Sequence, residues 1–327
     1  MVCIGGAVLD RKLHLLAPAV PATSNPARSA SASGGVARNV AENLLRLGLP
    51  VALVSRVGAD DAGAALLAHL TGLGGDVTAV TVVAGASTAQ YVAVLDPGGG
   101  LVIGVADMAV LDGIAPADVD AAWPAGSNPA GSDPAGSDLG AGSAWVVADC
   151  NLAPRTLARV LERACASGVP VAVDAVSTPK VVRLPADLTG VGVLFCNHDE
   201  ARALLGAHGH DDTGDDAQLA LRLRATGAGA VVLTRGADGV VLAGPHGVRQ
   251  VPAVPATVVD VTGAGDALVA GTVAALAAGR CLPDAVALGT LVAARTVASE
   301  RSVVPEPAPQ LAPLLRQGPH SAEEKPR

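Results

Sequence analysis

Aromatic side chains are nearly absent from this 327-residue chain: Tyr91, Trp123, Trp145 and Phe195 are the whole complement. Proteins that read single-stranded nucleic acid stack bases on aromatic rings, and so few rings make no such platform. Positive charge is scarce too. Lys and Arg number 22 against 30 Asp and Glu, for a formal charge of -8, so no basic field exists to neutralise a phosphate backbone, and a nucleic acid polymer is excluded as partner. The five cysteines (Cys3, Cys150, Cys165, Cys196, Cys281) show no CxxC spacing; reduced thiols buried in the core are expected, without a disulfide framework. The longest apolar run, near 264–278, follows Asp260 and contains Asp266, which marks a buried helix and not a membrane span. The start, Val2-Cys3-Ile4-Gly5-Gly6, lacks the basic and cleavable pattern of an export signal. A soluble cytoplasmic protein is the expectation. The GxGxxG fingerprint is missing as well: Gly5-Gly6-Ala7-Val8-Leu9-Asp10 does not supply it, which weighs against a dinucleotide oxidoreductase.

What is present is apolar material for a large core, 50% of the composition. Short β-branched runs (51–55, 169–174) alternate with Ala- and Leu-rich stretches of helical period (62–73, 154–167). That rhythm predicts an α/β fold, a mainly parallel sheet flanked by helices, with ligands beyond the carboxyl ends of the strands. Two stretches break it. Residues 11–33 carry no helix signal, and 79–105 resolve into strands at 80–84, 90–95 and 101–105 around a Pro97-Gly98-Gly99-Gly100 turn; together they predict a small β-sheet lid. Residues 124–143 repeat Pro-Ala-Gly-Ser from Pro124, Pro129 and Pro134, a low-complexity pattern that predicts a disordered surface insertion without chemistry. The proline-rich 305–327 predicts a flexible tail after one domain spanning 1–304.

Two segments carry chemistry. Asp260-Val261-Thr262-Gly263-Ala264-Gly265-Asp266 runs straight into a helix, and backbone N–H groups at a glycine-rich helix start converge on an anion of phosphate size. Asp266, in the first turn, stands where it can accept the proton of an attacking hydroxyl; an ordinary acidic helix start accounts for the same residues equally well. The second segment is Ser33-Gly34-Gly35-Val36-Ala37-Arg38-Asn39-Val40-Ala41-Glu42-Asn43-Leu44-Leu45-Arg46-Leu47-Gly48, where positions 36, 40, 44 and 47 form one apolar helical face and Gly48 stops the helix. Gly34-Gly35 admit close approach of a ligand, and Asn39 offers both donor and acceptor.

In this order and separation the two segments resemble the signature motifs of the ribokinase-like (PfkB-type) carbohydrate kinases. The stretch 6–10, Asn197-His198-Asp199-Glu200 and Thr234-Arg235-Gly236-Ala237-Asp238-Gly239 fall where that family has its further motifs. The resemblance implies Asp266 as catalytic base and Gly263, Ala264 and Gly265 as anion hole. It implies Asp10, Gly34, Gly35 and Asn39 as sugar-hydroxyl ligands. Asn197, Thr234, Gly236 and Gly239 would lie against the nucleotide, and Glu200 would organise Mg2+ through water, while His198 and Asp199 are assigned a plain surface role. ATP and Mg2+ are thereby implied, and K+ activation is compatible.

Several stretches resemble the pseudouridine-kinase branch: Ile4-Gly5-Gly6-Ala7 with Asp10-Arg11-Lys12, Ser24-Asn25-Pro26, 34–47 with its Arg38-Asn39 and Ala41-Glu42-Asn43, Ala106-Asp107-Met108, Ala148-Asp149-Cys150-Asn151, Asp174-Ala175-Val176-Ser177 with Lys180, and Ser299-Glu300-Arg301-Ser302-Val303. Val8 departs from it, standing where an asparagine is expected. The implied activity is ATP-dependent phosphorylation of the 5'-hydroxyl of pseudouridine. Another sugar or nucleoside of the family, or a non-catalytic nucleotide or sugar sensor, stays open. Lys12, Asn25, Asn151 and Lys180 are polar candidates for reading a base, each with an equal claim to a surface role. The lid, with Tyr91 on it, is a candidate surface for a homodimer.

Overall fold

The computed structural model describes residues 1–124 and 144–304; the expected tail, and all of the expected insertion except Pro124, lie outside the described residues. A nine-stranded sheet runs through the centre in the order β13-β12-β11-β10-β9-β8-β1-β4-β5. Its strands are β1 (Val2–Ile4), β4 (Ala52–Gly58), β5 (Val80–Val83), β8 (Val146–Asp149), β9 (Val171–Asp174), β10 (Val193–Asn197), β11 (Ala230–Thr234), β12 (Val240–Gly244) and β13 (Gly247–Val251). From β11 to β5 all neighbours are parallel, and β12 and β13 add an antiparallel edge. The strands are short and apolar on both faces. Alternation sends Ile4, Val54, Val146 and Ala148 into a core on one side of the sheet, and Cys3, Leu53, Val147 and Ala172 into a core on the other.

Helices cover both faces: α1 (Val36–Arg46), α2 (Asp61–Gly72), α3 (Pro116–Ala122), α4 (Pro154–Ser167), α5 (Thr178–Val181), α6 (His198–Ala207), α7 (Asp216–Ala225), α8 (Ala264–Ala277) and α9 (Leu282–Val297). Boundaries follow local chemistry. Pro154 opens α4 at a position whose N–H would have no partner, and Gly168 closes it in the left-handed region at φ +68. Among the described residues no helix is long and apolar enough to cross a membrane.

A separate four-stranded sheet, ordered β3-β2-β6-β7, is built from β2 (Val8–Leu15), β3 (Ala27–Gly34), β6 (Gln90–Leu95) and β7 (Leu101–Asp107). It grows directly from the large sheet, since β1 leads through Gly5-Gly6-Ala7 into β2, and β3 returns into α1. The strand expected at 80–84 as part of the lid is instead β5, which pairs parallel with β4 and edges the large sheet. Nothing local in this short β-branched run tells an edge strand of the large sheet from a strand of the small one, so pairing alone decides where it goes. The expectation that all cysteines are core thiols also needs correcting: Cys3, Cys150 and Cys196 are buried, whereas Cys165 and Cys281 are exposed.

Candidate active site

At the carboxyl ends of β9, β10 and β11 lies a cavity of about 200 Å3, lined by Asp174, Asn197, Glu200 and Thr234 on the strand side and by Gly265 and Asp266 from α8. This is the crest where open parallel sheets bind ligands. The chain reaches α8 through Gly263, its N-cap, at φ +79. A Cβ there would lie 1.9 Å from the carbonyl oxygen of Ser302, so this turn admits only glycine. A Cβ on Gly265 would meet nothing within 4 Å, which leaves that backbone open toward the cavity. The N–H of Ala264 already donates to Val261 O at 3.2 Å.

Asp266 is buried, 8% exposed, on the first turn of α8. Its Oδ2 accepts from Asn39 Nδ2 at 2.6 Å, which joins the two sequence motifs across the molecule. Burial pushes its carboxyl up to about 7; the Asn39 hydrogen bond and the Arg38 charge oppose the rise, and Asp149 and Asp10 add to it. A carboxylate poised near neutrality is suited to taking and returning a proton. Asp174, half-buried beside it, is pushed well above the usual carboxylate range by burial and by Asp266 itself. Its Oδ1 accepts from the N–H of Val176, a β-branched residue held at φ +66. Side chains of that shape avoid this region at a cost of about 1–2 kcal/mol, so the cavity wall is strained where Asp174 is aimed.

Asn197 caps α6: its Oδ1 accepts from Glu200 N at 2.9 Å while Glu200 Oε2 accepts from Asn197 N at 2.8 Å. This reciprocal capping box means that the two residues hold each other before either meets a ligand. Burial raises the Glu200 carboxyl above its ordinary value. Among the described residues no three Asp, Glu, His or Cys stand close enough to ligate a metal directly; the acids here fit a hard cation that keeps its own water. Thr234, at the end of β11, donates to Cys196 O at 3.4 Å. Beyond it Gly236 is open at φ +57, whereas a Cβ on Gly239 would lie 2.2 Å from Val251 O, so Gly239 serves a turn. His198 pairs with Asp216 between α6 and α7 at 2.7 Å, a contact that explains it without chemistry.

The second cluster lies where the two sheets meet. Gly34, ending β3, makes room for Asp10 on β2: a Cβ there would be 2.1 Å from Asp10 Oδ2. Gly35, at φ +92, abuts the Gly6 carbonyl and starts α1. Burial raises the Asp10 carboxyl, against the pull of Arg38 and Lys12. Val8, whose identity differs from the expected asparagine, is 4% exposed and packs in the core. Of the base-reading candidates, Asn25 closes its own loop onto Val20 and Thr23, and Asn151 accepts from Lys180. Lys12 reaches across to Asp260 at 2.7 Å, tying the small sheet to the segment before Gly263.

Two residues that sequence reasoning quoted without a role turn out to organise the site. Asp149, fully buried at the end of β8, accepts from Gly6 N, Ala37 N and Asn151 N, each at 2.9 Å. Arg38, 1% exposed, is near enough to both Asp10 and Asp266 for its charge to act on each. The i, i+4 ladder Arg38, Glu42, Arg46 was a visible signal, yet such ladders are usually solvated faces.

Comparison with known proteins agrees with this geometry. Residues 1–309 match the pfkB family carbohydrate kinase profile. The chain is 32% identical over 274 residues to pseudouridine kinase of Escherichia coli K12, covering 83% of this chain and 82% of that one. It is similar to the solved carbohydrate kinase from Agrobacterium tumefaciens at TM-score 0.72 and 30% identity, over 93% and 92% of the two chains. A ribokinase from Thermotoga maritima shares the fold at TM-score 0.73 and 18% identity, over 96% of this chain and 98% of that one. A large parallel sheet with a smaller one at its crest, a carboxylate at a glycine-capped helix start, and a match over nearly its whole length place this chain in the pfkB family of carbohydrate kinases, with a ribokinase-like fold.

Proposed function

We propose that this pfkB kinase transfers the γ-phosphoryl group of ATP to the 5'-hydroxyl of pseudouridine, giving pseudouridine 5'-phosphate and ADP. The observation carrying the chemistry is Asp266, a buried carboxylate near neutrality on the first turn of α8, with its proton-accepting edge held by Asn39. In the proposed reaction the hydroxyl oxygen attacks the γ-phosphorus, its proton passes to Asp266, and the bond to the ADP oxygen breaks. Gly263, Ala264 and Gly265 bring the positive end of α8 toward the transferring group. Asn197, Thr234 and Gly236 would lie along the nucleotide. Glu200 would hold Mg2+ through its water, and that ion supplies charge neutralisation at the phosphates; K+ near the anion-hole loop is a further candidate.

Asp10, Gly34, Gly35 and Asn39 would receive the sugar, Asp10 accepting from hydroxyls in a way a neutral side chain does not. The small sheet would act as lid, one working unit with the large sheet over residues 1–304. Its outer strand β7 exposes Leu101, Ile103 and Val105 at 60%, 54% and 54%, which supports a homodimer formed through the lid. The cytoplasm, where ATP and free nucleosides meet, is the proposed location. The similarity to the E. coli pseudouridine kinase supports the choice of substrate.

The test is coupled ADP release with ATP and Mg2+, offering pseudouridine, uridine, adenosine, ribose and fructose separately. Preference for pseudouridine is expected. Preference for another compound moves the specificity within the family, and no turnover of any of them overturns the kinase reading.

A further inference from the structure

A guanidinium sealed inside a protein needs partners for its fork of donors, and Arg38 finds them at the β3–α1 junction and along the first turns of α1. Its Nε donates to Gly34 O at 3.0 Å and its Nη2 to Ser33 O at 2.9 Å, the two carbonyls through which β3 of the small sheet turns into α1. Nη1 meets Glu42, and Nη2 also meets Asn39 Oδ1. Glu42 is itself fixed from behind by Arg46 at 2.6 Å and His69 at 3.0 Å. An asparagine amide can present either its oxygen or its nitrogen to a neighbour. With Oδ1 turned to Arg38, the nitrogen has one direction left, and it lies 2.6 Å from Asp266.

We infer that Arg38 is a positioning residue for the proposed base: it orients the Asn39 amide so that N–H faces Asp266, and it pins the junction at Ser33-Gly34 on which the small sheet is hung. This rests on the phosphoryl-transfer reading of the site. An amide turned the other way would present an acceptor to Asp266 and hold it in the protonated form, in which it cannot take the proton of a hydroxyl. The charges facing Asp266 are Arg38 from α1, Asp10 from β2, Asp149 at the end of β8 and Asp174 at the end of β9. Arg38 is thus the sole cation named among them, and its removal leaves three acids. Lys at this position keeps the charge without the planar fork that grips a carboxylate, two carbonyls and an amide together.

The experiment reads Asp266 without requiring turnover. Carbon-13 NMR of aspartate-labelled protein follows the Asp266 carboxyl against pH, assigned by its loss in Asp266→Asn, in the wild type, Arg38→Lys, Arg38→Met and Glu42→Gln. The expected result is an upward shift of the Asp266 titration by about one unit in Arg38→Met, with Arg38→Lys and Glu42→Gln between it and the wild type. In the kinase assay the acid limb of kcat moves in the same direction, and KM for the nucleoside rises about tenfold while KM for ATP holds. An unchanged Asp266 titration in the folded variants overturns the inference, whatever happens to thermal stability. Should Arg38→Met not fold, Arg38→Lys and Glu42→Gln decide alone, and a wild-type titration in both overturns it equally. Failure of the wild type to turn over any nucleoside or sugar defeats the kinase reading and is told apart, because the NMR titration does not depend on it.

Discussion

Asp149 gives the sharpest prediction about how the site is held. Its carboxylate collects the N–H groups of Gly6, Ala37 and Asn151, and so joins the β1–β2 junction, the first turn of α1 and the end of β8. Replacing it with Ala takes the acceptor from these three backbone donors and from the Asn151 side chain, at about 1–3 kcal/mol for each group left buried without a partner. Removing a costly buried charge offsets part of this: burial holds the Asp149 carboxyl above its usual range even against the hydrogen bonds it accepts. The lower end of the sum is therefore appropriate, about 3–4 kcal/mol. Asp149→Asn is milder. Gly6 and Ala37 share Oδ2, so an amide oxygen placed there keeps both, while the amide nitrogen faces the Asn151 N–H; the loss is about 1–3 kcal/mol. At roughly 1.5 °C per kcal/mol for a chain of this size, thermal unfolding followed by circular dichroism should show Asp149→Ala lower by about 4–6 °C and Asp149→Asn lower by about half as much. Both variants should also raise KM for the sugar or nucleoside, since Gly35 and Asn39 are placed by the same α1 turn. Unfolding of Asp149→Ala within a degree or so of the wild type would refute the argument that this carboxylate clamps the junction.

Three further outcomes are expected. Asp266→Asn should lower turnover by about 10²–10⁴-fold while leaving ATP binding by calorimetry intact. In the wild type kcat should fall as pH drops through about 7, because the proposed base would work only when ionised and burial raises Asp266 to that value; a flat profile there would show that another group takes the proton. Gly263→Ala should destabilise the fold by several kcal/mol, roughly the sum of a left-handed backbone penalty and a contact 1.9 Å from Ser302 O, read as a large drop in denaturant midpoint.

The segments legible in the sequence were those whose chemistry is contiguous. Gly263 to Asp266, Gly34-Gly35 and Asn197 to Glu200 each place their residues within one turn, so spacing alone exposes them, and the alternation of short apolar runs with helical stretches announced the parallel sheet. What stayed hidden depends on pairing. Asn39 and Asp266 are 227 residues apart, Asp149 and Gly6 143, Lys12 and Asp260 248; no local pattern carries such contacts. The short run at Val80–Val83 has the same look whether it edges the large sheet or joins the small one. Asn197 and Glu200 show a subtler overlap: one spacing satisfies both the family's NxxE element and an ordinary capping box, and the structure displays the latter.

The small sheet also bears on how the chain acquires its activity. Its central pair, β2 with β6, runs parallel and joins Leu9–His14 to Gln90–Leu95, about eighty residues onward, with β4, α2 and β5 threaded between. Contacts of such separation form late, after the intervening elements have collapsed. Asp10 meets Gly34 within the far more local β2–β3 pairing, whereas β6 and β7 complete the small sheet only when β4, α2 and β5 are in place. A partly refolded chain would therefore hold Asp10 against Gly34 before the sheet above them is complete, and gain of ligand binding during refolding would report the closing of β2 on β6.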